Sequence, residues 1–412
     1  MPGSTPAPPP LRLRHFSDPC TASVAASASA GAGQRAELGQ PAESCSPRSL
    51  LSSCSGEIRH VLFVLTAQMF QDDGAMAERL LRAAREFGRI TLVGRGPLVD
   101  PARALIARLG LAGKAEVIVA PDAAELWGWV QDRFVVCTGE QGERLIVGSA
   151  HGRGGDTATC AAQASGLVGA AVDVWFEGGN LLADAEDCFL GTDIADRAAG
   201  AGLPQRIGAG IECRRRLRFV GSRAPLARRG PFRFEIAPRN FGWRQDVDRC
   251  ISWDGSRQPV FHLDMFMTLA GCGRILVGDP EAASRLIGVD LPDGFPVHAF
   301  EEIAAALRDD GFEVIRNPLP FIYFDDPDAR LREWFYASAN NCWVERSGEG
   351  GRVWLPEYGF GAWPELRATD DANAALWEGL GYEVVRVGDF LPLVDQLGSL
   401  NCASKILERG PA

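Results

Sequence analysis

Four stretches of the chain set a reactive or charged side chain among bulky apolar ones. In FHLDMFMTL (261–269), His262 and Asp264 stand two positions apart. WGWVQDRFVV (127–136) carries Asp132 behind two tryptophans, and VWFEGGNLLAD (174–184) carries Glu177 ahead of two glycines. LGSLNCASKIL (397–407) carries Cys402 after a Gly-Ser pair. An unpaired buried charge costs several kcal/mol and an unsatisfied polar group about 1–3 kcal/mol, so each residue needs a partner or a task. Thiol, imidazole and carboxylate are the side chains of nucleophilic and acid–base chemistry. Each also has a plain structural reading taken singly. An Asp before a strand is a turn residue, Glu-Gly-Gly closes a strand, a lone Cys packs as a small hydrophobe, and a lone His is satisfied within the fold. In a strand, His262 and Asp264 would face the same side. That spacing fits a solvated edge as well as a site.

The elements that must position these residues alternate along the chain. HVLFVL (60–65) reads as a buried strand, AMAERLLRAAREFG (75–88) as an amphipathic helix ended by Gly88, and RITLVG (89–94) as a strand. PARALIARLG (101–110) then reads as a helix and AEVIVA (115–120) as a strand. The scheme returns in RILVGD before PEAASRLIG, in EEIAAALRDDG before FEVIRN, and in DANAALWEGLG before YEVVRV. Shorter strands are expected at RFVVC (133–137), RLIVGS (144–149), DCFLGT (187–192) and RVWLPE (352–357). Strands interleaved with helices define an α/β chain. No G-x-G-x-x-G follows the first strand, and neither G-x-x-x-x-G-K-[ST] nor G-x-S-x-G occurs. The common nucleotide-binding and serine-hydrolase readings therefore lose their main support.

Composition narrows the partners. The 412 residues are 46% hydrophobic and 23% charged, with a net charge of −11, so nucleic acid is not expected as the main partner. No run approaches the roughly 18 apolar residues of a membrane helix, and no membrane association is expected. The eleven cysteines contain no C-x-x-C pair. Reduced thiols in a reducing compartment follow, which makes a cytoplasmic location the expectation. Residues 1–57, rich in Pro, Ala, Ser and Gly, read as a disordered extension that cannot bury enough apolar surface to order itself. Their Arg, Ser and Ala with few acids give an organelle transit segment as the alternative. Folded structure is expected to begin near Ile58 and to form one domain over 58–408.

In this chain order the four stretches resemble the guanidine-modifying (pentein) superfamily. It includes arginine deiminases, agmatine deiminases, the catalytic domain of protein-arginine deiminases, dimethylarginine hydrolases and amidinotransferases. WVQD is similar to the W-x-Q-D of protein-arginine deiminases, and EGGNLLADAEDCFLGTDIADR resembles the E-G-G-[DN] segment of arginine deiminases. HLDMFMTL is similar to their H-L-D segment, NAALWEGLGYEVVRV resembles the helix and strand ahead of the nucleophile, and GSLNC is similar to the agmatine-deiminase ending. Two departures stand out. Arginine deiminases have a glycine-rich run where this chain has LGSLNC, and agmatine deiminases read E-G-G-[SN]-I-H where it has EGGNLLAD.

The resemblance implies a five-bladed, pseudo-symmetric α/β propeller with the site on its axis. It implies Cys402 as nucleophile, His262 as acid and then base, Glu177 as the carboxylate that orients His262, and Asp132 with Asp264 as the clamp on the guanidinium. The chemistry suits these types, because a planar, permanently charged guanidinium is gripped in bidentate fashion by carboxylates and attacked best by a thiolate. The implied reaction is hydrolysis of a guanidine, free or peptidyl, through a covalent amidino intermediate to a ureido product. Arginine or an arginine derivative is the expected substrate. No metal or organic cofactor is required, and no D-x-[DN]-x-[DN]-G loop is present to carry over the calcium dependence of the animal enzymes. Homo-oligomer formation is compatible with all of this.

Amidino transfer to an amine and a non-catalytic binding module are the rival readings. A papain-like protease is disfavoured, since it places Cys before His. The arginine-crowded segment 206–239 is either a solvated insertion or a collar for a substrate carboxylate or an acidic partner.

Overall fold

The computed structural model describes residues 48–411, apart from 152–154, 198–201, 227–231, 235–242, 247–255 and positions 327, 329 and 349. One local pattern recurs five times among the described residues: an antiparallel strand pair, a helical crossover, and a third strand parallel to the second. Phe134–Thr138, Arg144–Ser149 and Val168–Val172 form one such unit around the helix Gly155–Ser165. Leu181–Ala183, Asp187–Gly191 and Arg216–Val220 form the next. Met267–Gly271, Arg274–Asp279 and Glu313–Pro318 form a third, and Trp343–Ser347, Gly350–Glu357 and Tyr382–Asp389 a fourth. The remaining unit joins distant parts of the chain. Ser404–Arg409 runs antiparallel to Ile58–Val64, which lies parallel to Arg89–Gly94 after the helix Ala75–Ala83. Ala115–Val119 extends that sheet.

Local chemistry explains the elements. Ile58–Val64 reads IRHVLFV and buries every residue except Arg59, as a strand covered on both faces must. The helix Ala75–Ala83 buries Met76, Ala77, Leu80 and Leu81 at helical spacing. The helix Pro280–Ile287 carries its own punctuation. Asp279 caps it by accepting from the Ala282 N–H at 2.8 Å, Pro280 opens the first turn, and Gly288 closes it with φ 67°. The main core is aromatic-rich: Trp343, Trp354 and Trp377 are fully buried, and Phe87 packs edge-on against Trp354. A further sheet, outside the repeat, pairs Phe321–Asp326 with Leu331–Tyr336 and takes in Phe232–Phe234 and Trp243–Asp246.

Three expectations need correction. The helix expected over 75–88 ends at Ala83, where the chain passes into turns that bring Phe87 into the core. The apolar run 261–269 is not one strand: Leu263–Met265 form a tight 3-10 turn, and the strand starts only at Met267. Glu177 likewise does not end a strand, because the preceding one stops at Val172.

The packed chain also begins before Ile58. Ser49–Leu50 pair with the strand Phe134–Thr138, and Cys54 is fully buried. The buried Glu212 carboxylate accepts from the Leu50 N–H at 2.9 Å, while Arg215 donates to Glu212 at 2.6 Å and to the Leu50 carbonyl at 2.7 Å. This charge pair holds the early segment down. The rest of the expected extension, residues 1–47, lies outside the described residues. No described helix is long and apolar enough to cross a membrane.

Candidate functional site

Each candidate residue sits where a short turn meets a strand. Asp132 ends the 3-10 turn Val130–Asp132, just ahead of the strand Phe134–Thr138. Glu177 is extended and leads into the turn Gly178–Asn180. His262 is extended and leads into the turn Leu263–Met265, which contains Asp264. Cys402 occupies the turn before the strand Ser404–Arg409. The fold brings all these turns to one place.

The Glu-Gly-Gly-Asn segment is the hub. The Asn180 side chain accepts from the Leu263 N–H at 3.2 Å and donates to the Phe261 carbonyl at 3.1 Å, so it grips the backbone on both sides of His262. Gly179 comes so close to His262 and Asp264 that no side chain fits there. Gly398 has a similar reason, since a Cβ on it would lie 2.5 Å from the Trp129 ring. Trp129 thereby braces the loop ahead of Cys402.

The charged groups form a chain. His262 Nε2 lies 2.9 Å from Glu177 Oε2, and His262 Nδ1 lies 3.5 Å from Asp132 Oδ1. Asn401 donates to Asp264 Oδ2 at 2.9 Å. Asn341 clasps the thiol residue: its Nδ2 donates to Cys402 Sγ at 3.1 Å, and its Oδ1 accepts from the Cys402 N–H at 3.0 Å. Gln131 links the neighbouring turns, its N–H donating to the Cys402 carbonyl at 3.3 Å and its Nε2 to the Gly178 carbonyl at 3.3 Å. His262, Asp264 and Cys402 are all buried. At the site, three buried side-chain atoms have no hydrogen-bond partner among the described residues: Asp132 Oδ1, His262 Nδ1 and Asp264 Oδ1.

Burial and neighbouring charge set the protonation pattern. Burial would lower the His262 pKa, but the Asp132 and Glu177 carboxylates together raise it to about 9. Burial works to raise Glu177, yet its hydrogen bond with His262 and the imidazolium charge hold it at about 2. Burial pushes Asp132 up to about 7 against the pull of His262, with Glu177 and Asp264 adding to the rise. Asp264 is raised by burial. The Cys402 thiol is pushed well above its ordinary range by burial, then by Asp264 and Asp132. Among the described residues no cluster of His, Cys, Asp or Glu could hold a metal ion.

All five candidate residues thus converge. Sequence reasoning missed Asn341, Asn401, Asn180 and Gln131. Asn401, Gln131 and Asn180 lie inside the quoted motifs and could have been found by asking what holds the neighbouring residue. Nothing in ASANNCW marks Asn341. The described arginines of segment 206–239 are largely committed elsewhere. Arg216 and Arg218 both pair with the buried Asp187, and Arg215 pairs with Glu212. Positions 227–231 and 235–239 of that segment lie outside the described residues.

No protein-family model matches the chain, and no curated protein matches it by sequence. Solved structures do share its fold. A structural-genomics target named provisionally as an agmatine deiminase aligns with a TM-score of 0.61 and 11% identity, over 91% of this chain and 100% of that one. The agmatine deiminase of Enterococcus faecalis aligns with a TM-score of 0.57 and 10% identity, over 90% of this chain and 99% of that one. The chain therefore shares the fold of these agmatine deiminase structures.

Proposed function

We propose that the protein is a deiminase that hydrolyses the guanidinium group of arginine or an arginine derivative. The observation that carries this reading is a set of buried side-chain atoms without a hydrogen-bond partner beside a thiol: Asp264 Oδ1, and Asp132 Oδ1 with His262 Nδ1, which face each other at 3.5 Å. A guanidinium has several N–H donors fixed in one plane, and it would satisfy both carboxylates at once. Its charge would offset the two carboxylates that hold the Cys402 thiol up, so substrate binding itself favours release of the thiol proton to water and formation of the thiolate.

Cys402 Sγ then attacks the central carbon, and His262, protonated in its setting with Glu177 and Asp132, gives its proton to the departing amine. The neutral imidazole next takes a proton from water. That water breaks the carbon–sulfur bond and leaves a ureido product, citrulline if arginine is the substrate. Asn341 and the backbone around Gly179 hold the thiol and the imidazole in place. The five repeated strand–strand–helix–strand units support a pseudo-fivefold propeller with this site at its axis.

The test is an assay for ureido product and ammonia on arginine, agmatine, methylarginines and an arginine peptide, with Cys402→Ala as control. Product from one substrate, lost at least about a thousandfold in Cys402→Ala with an unchanged melting curve, is the expected result. Absence of turnover on all of them, with Cys402 also inert to a chloroacetamidine, would overturn the reading.

A further inference from the structure

The strand Ser404–Arg409 points a lysine into the interior three positions after Cys402. Lys405 is only 6% exposed. Its ammonium donates to the neutral amide oxygen of Gln131 at 2.9 Å and stands 5.5 Å from the centre of the Phe134 ring. It lines a cavity of about 70 Å³ together with Asp264, Gln131 and Asn401. The ionisable groups whose charges act on it are Asp264 from the turn Leu263–Met265, which shares the cavity lining, Asp132 from the turn Val130–Asp132, and the Cys137 thiol from the strand Phe134–Thr138. Arg409 lies further along the same cavity, directed at the carbonyls of Gly56 and Ser53.

Keeping an ammonium from water costs several kcal/mol, and a neutral amide partner does not balance its charge. The negative charges of Asp264 and Asp132 act on it through space in the offsetting sense. The thiol, the imidazole and the substrate are accounted for without Lys405, so its position calls for a separate explanation.

We propose that Lys405 is the buried counter-charge of the Asp132–Asp264 clamp, and that it sets both how strongly the clamp attracts a cation and how readily Cys402 ionises. This rests on the guanidine-hydrolase reading above. Lys405 is a positioning residue in this scheme, because it acts through the carboxylates and touches no reacting atom. Its positive charge weakens the pull of the clamp on a guanidinium and so lets product leave. The same charge offsets the carboxylates that oppose thiolate formation. Removing it has two opposite effects: cations bind more tightly, while the thiolate forms less readily. A purely structural lysine would weaken both together or neither.

The experiment compares the parent protein with Lys405→Met, Lys405→Gln and Lys405→Arg. Alkylation of Cys402 is followed by mass spectrometry across pH, with neutral iodoacetamide and with cationic chloroacetamidine. Loss of the charge is expected to slow iodoacetamide about tenfold at neutral pH, a displacement of about one pH unit in its profile. The preference for chloroacetamidine over iodoacetamide is expected to rise about tenfold, and Lys405→Arg to restore both towards the parent. Methionine matches lysine in length and removes the buried charge, and glutamine provides a second neutral variant if methionine disturbs the fold. An unchanged reagent preference in either folded neutral variant overturns the proposal but leaves the hydrolase reading standing. A Cys402 that neither reagent modifies in the parent protein overturns both.

Discussion

A methyl group on Gly179 would stand 2.7 Å from Nδ1 of His262 and 2.9 Å from Oδ1 of Asp264. The bare backbone at Gly179 is therefore the surface on which both side chains of the His-x-Asp pair rest. Gly179→Ala is expected to force them outward, lowering kcat/KM at least tenfold and stability by about 1–3 kcal/mol. Turnover together with urea unfolding checks this. Parent-like values of both would show that the pair has room to move.

Asp264→Asn separates binding from nucleophile ionisation. One oxygen of Asp264 is held by Asn401 and the other has no partner. Under the proposed function, loss of the charge removes one jaw of the guanidinium clamp, so kcat/KM should fall by roughly a hundredfold or more. Because Asp264 also opposes ionisation of Cys402, neutral iodoacetamide should alkylate the thiol faster in this variant. Slower alkylation, or unchanged kcat/KM, would remove Asp264 from the clamp.

The pH dependence follows from signs. His262 binds its proton more tightly when folded, so its contribution is complete below the ordinary 6.5 and is lost as pH rises through about 9. Asp132 is also raised, and its contribution is complete below 3.8 and lost as pH rises through about 7. Glu177 is lowered, so its contribution is present above 4.5 and lost only as pH falls through about 2. The site should therefore lose stability between pH 6.5 and 9. Glu177→Gln should flatten that loss and bring the His262 titration down. Urea unfolding at both ends of the window and an NMR titration of His262 measure it; a parent His262 titrating below 6.5 would contradict the arrangement.

The alternation of elements was readable because each strand is a continuous apolar run and each helix an amphipathic one, as in RITLVG at Arg89–Gly94. The candidate residues were readable because Asp132, Glu177, His262 and Cys402 each interrupt apolar surroundings. What escaped was decided across the fold. His262 and Asp264 sit at a turn, because the backbone there is held by Asn180 from a segment some 80 positions away. Asn341 is ordinary in sequence and acquires its role only from the return of the chain to Cys402, 61 positions later. Ser49–Leu50 looked like part of the extension because their anchor, Glu212, lies 162 positions ahead.

The closing of one unit by Ser404–Arg409 against Ile58–Val64 has a kinetic consequence. Arg409 reaches the carbonyl of Gly56 across 353 positions, so the loop to be closed is among the longest the chain can form. Such closure is entropically slow, and contacts that depend on it form late. Cys402 lies in the turn that enters this closing strand, while Asp132, Glu177 and His262 belong to earlier parts of the chain. The thiol should therefore be the last of the group to arrive, and a partly folded chain would hold a carboxylate pocket without its sulfur.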